Sequence, residues 1–419
     1  MEKPISRLMV KIVYTYFFLF ISITITAKTL HVGKQYGNIS IQQTVDLANN
    51  GDTVIVESGH YHEKNLIIEK SIVLLGINLP ILDGDKKYEI ISIKADNVTV
   101  DGFKVIRSGI GTLDDPAGIK IYNKRNVTIS NNELFDTFFG IYSQVGRNCI
   151  IKNNTLQAFG IAEQEIGNGI HCWKSDSMQI IGNKIKGHRD GIYFEFVTNS
   201  HITKNISTKN IRYGLHFMFS NNDVYTSNTF KNNGAGVAVM FTKGVKMYHN
   251  LFEENWGDAA YGLLLKEISD SHIEGNKFVK NTSGIFMEGA SRIMITHNLF
   301  KNNGWAMKVQ ASCMDNTITK NNYIGNTFDV GTNGSLVLNT FNGNYWDKYE
   351  GYDLNKDGIG DIPYRPVSLF SMILEKMPPA MALFRSFMVT ILDKTEKIIP
   401  SITPENLKDD TPLMKPVRL

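Results

Sequence analysis

Two consecutive stretches, GLHFMFSNNDVYTSNTFKNNGA (214–235) and GVAVMFTKGVKMYHNLFEENWG (236–257), carry one pattern in 22 residues each. A glycine opens a run of alternating apolar residues. A polar corner follows, then a second short β-rich run, then Asn with Leu, Thr or Phe behind it. Outward from these two lines the phrase continues through most of the chain, with marker asparagines Asn132, Asn154, Asn183, Asn205, Asn228, Asn250, Asn276, Asn298 and Asn321. Their spacings are 22, 29, 22, 23, 22, 26, 22 and 23 residues. Gly118, Gly140, Gly169, Gly191, Gly214, Gly236, Gly262 and Gly284 keep nearly the same beat.

A period of 22–23 residues with short strands and polar corners predicts one coil per repeat of a right-handed parallel β-helix, an all-β fold. Leucine-rich repeats share the period, but their Leu-x-x-Leu-x-Leu signature is absent from the chain. The recurrent Asn suits a corner, because it tolerates left-handed φ and bonds neighbouring backbone; stacked, it can form an amide ladder. Coils from near Thr53 to Trp346 amount to roughly 13, about 60 Å of stack. The two long coils should bulge as loops at Phe159–Asn168 and Trp256–Tyr261, and Ile41–Asn50 reads as a short helix over the N-terminal end.

Four segments follow. Residues 1–27 read as a cleaved signal peptide, with Lys3, Arg7 and Lys11 before an apolar stretch and Ala27 at its end; that stretch is shorter than a membrane span. Residues 28–346 are the β-helix, 347–366 an acidic Gly-rich loop, and 367–419 a helical, Pro-punctuated tail broken at Pro378–Pro379. The formal net charge of +3, with no block of like charge, gives no electrostatic reason for nucleic-acid binding. With only Cys149, Cys172 and Cys313, at least one thiol stays free, and burial and hydrogen bonding must hold the fold.

Chemistry should sit on the strand after each glycine. Position +1 is Ile, Leu or Val in every coil and must face in, so +2 and +4 face out. Up the stack, +2 reads Lys120, Tyr142, His171, Tyr193, His216, Ala238, Leu264, Phe286, and +4 reads Tyr122, Gln144, Trp173, Glu195, Met218, Met240, Lys266, Glu288. An outward stripe of aromatics, His and Met suggests a binding surface. His171 and His216 stand two coils apart, roughly 10 Å, too far to share one ion. His216, Met218 and Met240 lie on one strand and its neighbour, and imidazole with thioether suits Cu(I). The competing reading is ordinary packing under a loop, with Met as gap-filler. Asp353, Asn355, Asp357 and Asp361 with Gly358 open like a calcium loop, although Tyr364 stands where the bidentate Glu is expected; a solvated acidic turn is the alternative.

HRDGIYFEF (188–196), RYGLHFMFS (212–220), GAGVAVM (234–240), NWGDAAYGLLLKEI (255–268), YWDKYEGYDLNKDGIGDIPYRP (345–366) and the tail closing on TPLMKP resemble the NosD family, periplasmic maturation proteins of nitrous-oxide reductase. The likeness runs from about residue 30 to the C-terminus. It implies a periplasmic, non-enzymatic accessory protein that handles copper, alone or with sulfide, for the reductase's copper-sulfide cluster. Implied partners are the reductase, an ABC-type permease and ATPase, and a copper-chaperone lipoprotein, with Phe370–Leu392 as a docking segment for the permease. On that footing His171, His216, Met218 and Met240 supply copper ligands, while Trp173, Tyr193 and Glu195 shape the surface. The alternative is a carbohydrate-binding or polysaccharide-modifying β-helix, but the ladder offers Glu195 and Glu288 several coils apart, with Asp190 at a corner, where Arg189 and Asp190 are read as pairing locally or bracing the turn.

Overall fold

Alternation along each short run, β-branched residues facing in, and a polar corner every few residues leave the chain one way to bury its apolar faces, which is to stack coil on coil. The structure, a computed structural model, describes residues 27–37, 39–111, 115–160, 162–257, 260–334, 338–398 and 407–419. The expected signal segment lies outside these, apart from the exposed Ala27. Three parallel sheets of 14, 12 and 13 strands form the walls of a right-handed β-helix of about 13 turns. Strands pair with the strand one coil away, in register except for a shift between Met314 and Thr317 near the C-terminal end. The first rung is Thr29–Val32, one coil earlier than Thr53, and the last is Tyr345–Trp346.

The interior is a single column of apolar side chains. Phe230, Phe252, Phe278, Phe300, Tyr323 and Trp346 stack rung on rung, with ring centroids 5.5, 4.7, 4.9, 4.9 and 3.9 Å apart. Each ring covers its neighbour's face, so the column adds aromatic contact to simple burial. Cys149, Cys172 and Cys313 are buried free thiols.

The marker asparagines form the expected ladder. In each coil the Asn side-chain amide donates to the carboxamide oxygen of the next, as from Asn205 to Asn228 (3.0 Å) and from Asn228 to Asn250 (2.9 Å). The same oxygen accepts the backbone N–H of the Asn below it. These asparagines are not the left-handed residues, however. Positive φ falls on the residue before each, such as Asn131, Lys204 and His249, while the marker itself is turned inward and buried. A second amide ladder, Asn210, Asn233, Asn255, Asn281, Asn303 and Asn326, runs up another corner.

Both ends are closed. The helix Ile41–Leu47, with a Ser40–Gln43 capping box, buries Ile41 and Val45 against the first coils. Its Gln42 accepts from the Ile67 N–H (2.8 Å) and donates to the Ile67 carbonyl (3.1 Å), so a side-chain amide stands in for the missing rung. At the far end Asp409 receives Asn344, Gly343 and the Trp346 indole N–H, ending the amide ladder on a carboxylate. The tail is helical over Leu369–Lys376, Pro378–Leu383 (3-10) and Phe387–Ile398; Leu407–Leu419 then lies irregularly across the last coils. Among the described residues no helix is long and apolar enough to cross a membrane.

Candidate functional site

The 12-stranded sheet carries the stripe. Its +1 column, from Ile119 through Ile192, Leu215 and Val237 to Ile285, is fully buried as expected. The +2 column is largely covered as well (Lys120, Tyr142, His216, Ala238 and Leu264 are buried) and the +4 column is half-buried, so the stripe is less exposed than the sequence suggests. Tyr142, His171, Tyr193, His216 and Ala238 are register partners in turn, and so are Gln144, Trp173, Glu195, Met218 and Met240. Met218 and Met240 are therefore direct neighbours on adjacent rungs, with His216 two residues before Met218 on one strand. His171 does not join them. Tyr193 stands between the two histidines, its ring 4.8 Å from His171 and 4.9 Å from His216.

The glycine preceding each strand brings a third column onto this face, which the alternation rule alone does not show. An added Cβ at Gly236 would lie 2.2 Å from the Gly262 carbonyl oxygen, so the coils approach too closely there for any side chain. The bend places the residue before the glycine beside the +2 residue. Phe139 meets Tyr142, Asn168 meets His171 (3.3 Å between Nδ2 and Nδ1), and Tyr213 meets His216. Asp190 belongs to this column. It does not pair with Arg189, as the sequence suggests, but accepts two hydrogen bonds from Arg212 one coil away (Nε to Oδ1 3.0 Å, Nη2 to Oδ2 2.7 Å). Arg189 turns to Asn168 instead. The pairing is invisible in sequence because the partners are 22 residues apart and meet only when coils stack.

Burial shapes the electrostatics. It pushes the Asp190 carboxyl up, but His216 and Arg212 outweigh it and hold the group below the usual carboxylate range. His171 is pushed down to about 3 by burial and by Arg189, so its imidazole is neutral at physiological pH. Tyr193 is pushed up to about 12 by burial and the nearby Glu195 and Asp190, and its hydroxyl donates to the Met218 sulfur (3.7 Å). Among the described residues His216 is buried with neither ring nitrogen hydrogen-bonded, and His171 Nε2 also has no partner. Unpaired buried imidazole nitrogens beside thioethers are the donor set a soft cation takes, and each is otherwise a cost to the fold.

The remaining stripe residues frame this cluster. Trp173 packs on Phe139 and Tyr142 with Lys174 over its ring, and Lys266 bridges to Glu288 (3.3 Å). Phe196, Phe219 and Phe241, next along the strands and exposed, stack 5.2 Å apart with positive φ. Toward the N-terminal end the face opens into a cleft of about 620 Å³ bordered by Glu89, Lys120, Tyr122 and Tyr142. Of the other methionines, Met178, Met247, Met287 and Met307 are interior, as expected, while Met294 and Met314 are exposed.

In the acidic loop the candidate calcium ligands face their own backbone. Asp353 accepts from the N–H groups of Asp357 and Gly358, Asn355 from Asp357, Asp357 from Ile359, and Asp361 from Leu354.

A sequence model described as "NosD: Periplasmic copper-binding protein (NosD)" matches residues 157–351, which include every His and Met of the cluster. A relative from Stutzerimonas stutzeri named "Probable ABC transporter binding protein NosD" is 29% identical over 344 residues, covering 77% of this chain and 78% of its own. One of the same name from Pseudomonas aeruginosa is 25% identical over 354 residues, covering 80% and 82%. Among solved structures, the catalytic unit of a GH87 α-1,3-glucanase from Streptomyces thermodiastaticus superposes with a TM-score of 0.57 at 12% identity, over 77% of this chain and 69% of that one. At that identity the glucanase shows the fold alone. Relatives, family model and fold point the same way: over most of its length the chain is similar to the NosD proteins, and it is a right-handed parallel β-helix.

Proposed function

We propose that this protein is a periplasmic accessory factor that receives Cu(I) on the outward ladder and passes it on for assembly of the copper-sulfide cluster of nitrous-oxide reductase, with sulfide as a second cargo. The observation that carries the reading is His216, buried without a hydrogen-bond partner among the described residues, two residues from Met218, which itself pairs with Met240 on the next rung. His216, Met218 and Met240 would hold the ion. His171, neutral and one tyrosine away, would supply a second station. Trp173, Tyr193 and Glu195 border the path between them. Copper is cargo here, so ligands that are few, soft and near the surface serve better than a closed cage.

The protein acts by binding rather than by catalysis. Of the ladder carboxylates, Asp190 is engaged by Arg212 and Glu288 by Lys266, which argues against those two as an acid–base pair for glycoside chemistry. An ABC-type permease and ATPase act as partners, and a copper-chaperone lipoprotein supplies the ion. Phe370 and Leu374 are turned against Trp305 and Phe328 and so are not free to dock. The apolar face left for the permease is Leu383, Phe387, Met388 and Ile391, all exposed. The Asp353–Asp361 loop takes a structural Ca²⁺ once its carboxylates turn from the backbone.

The test is complementation in a nitrous-oxide-respiring host that lacks its own protein of this kind. This gene would be supplied with its matching permease and ATPase, and the reductase purified for copper content and cluster spectrum. A cluster that disappears when this gene alone is omitted supports the reading; a cluster indifferent to it overturns the maturation role.

A further inference from the structure

The first rungs of the 13-stranded sheet carry a second group of ligating side chains, outside residues 157–351 and far from the ladder. His60 and Tyr61 form the edge strand, paired with Ile81 and Leu82 one coil on. Alternation sends His60 and His62 out on either side of Tyr61, and the same register sets them against Asp83. His60 Nε2 stands 2.9 Å from Asp83 Oδ2, and His62 Nδ1 stands 3.1 Å from Asp85 Oδ1. The two imidazoles stack with centroids 4.4 Å apart. One ligand atom from each of His60, His62 and Asp83 falls within 4.8 Å of the others.

Charge and geometry favour a cation there. Arg107 grips Asp83 and stands 3.5 Å from Asp85, so one guanidinium faces two carboxylates. The nitrogen–oxygen separation of 2.9 Å is a hydrogen bond, which already holds the imidazole and the carboxylate side by side where an ion could replace it. Both histidine side chains are about half exposed (46% and 52%) while Asp83 is buried and held by Arg107, so an ion would enter from the histidine side and share Asp83 with the guanidinium. Imidazole with carboxylate suits a borderline divalent ion, Cu(II) or Zn(II), rather than the soft Cu(I) of a thioether site.

We infer that His60, His62 and Asp83, with Asp85 at the rim, form a binding site for a divalent transition ion at the N-terminal end of the β-helix. The ion would tie the edge strand to the second coil. About six coils, roughly 30 Å, separate it from Met218, so the two sites bind independently.

The experiment is a competition titration of tag-free full-length protein with Zn(II) against a chromophoric chelator, with folding followed by circular dichroism. Zn(II) is the probe because the methionine cluster has little affinity for it. The expected result is one equivalent bound, weakened at least tenfold by His60→Ala or by His62→Ala and unchanged by Met218→Leu with Met240→Leu. Asp83→Asn should weaken binding as well. A wild-type protein that binds no Zn(II), or an equivalent that survives in the folded His60→Ala/His62→Ala protein, overturns the site and marks the cluster as ion pairing only.

Discussion

The Nδ1 of His216 lies 3.6 Å from the Oδ2 of Asp190 on the coil below, near enough for charge attraction and too far for a hydrogen bond. Arg212 occupies the carboxylate instead, at 2.7 and 3.0 Å. The consequence is an imidazole held in place by Tyr193 and Tyr213, with its nitrogens unengaged and a negative charge nearby. The nearby negative charge and the adjacent thioethers both favour a metal ion there.

Replacing Met218 and Met240 together with Leu is expected to leave the fold intact, since Leu for Met is close to volume-conserving. Cu(I) affinity should fall at least tenfold in a competition titration. Unchanged affinity removes the thioethers from the site.

Gly236→Ala should lower stability by about 1–3 kcal/mol, the usual cost of forcing a group into filled space. The added methyl would meet the Gly262 carbonyl at 2.2 Å, on the rung that leads to Met240. Chemical denaturation measures the loss, and Cu(I) binding in the same variant reports whether the ladder shifts with the corner.

Asp223 predicts a pH dependence. Burial raises its carboxyl to about 8, against about 3.9 in an unfolded chain. The folded state then keeps a proton that the unfolded state releases, so stability falls as pH rises from about 4 to about 8. Asp223→Asn retains the acceptor for the Ser200 N–H (2.8 Å) and cannot ionise. Melting temperatures from pH 5 to pH 8 should show the wild type dropping relative to the variant; parallel curves would disprove the assignment.

Calcium at millimolar concentration is expected to raise the melting temperature by a few degrees through binding to the folded loop, with magnesium much weaker. The shift should vanish with a chelator and in Asp353→Asn/Asp357→Asn. No shift in the wild type leaves the loop as the self-bonded turn of Asp353, Asn355 and Asp357.

The chain's own letters determined the coil, its interior and its outward stripe, because each follows from a rule that acts within a few residues. Alternation put Ile192 and Leu215 in the core and Tyr193 and His216 on the opposite face of the sheet, and a 22-residue beat brought Met218 beside Met240. The amide ladder was legible for the same reason, although the left-handed turn falls one residue earlier, on Lys204 rather than Asn205. Tertiary structure decided what happens at the corners. The glycine bend interrupts alternation and adds Asp190 and Tyr213 to the face, and Arg212 reaches Asp190 only across a stacked coil. It also gathered His60, His62 and Asp83, more than twenty residues apart in part, into one cluster. These contacts depend on how each corner turns and how each coil is padded by insertions, and neither is encoded in the period.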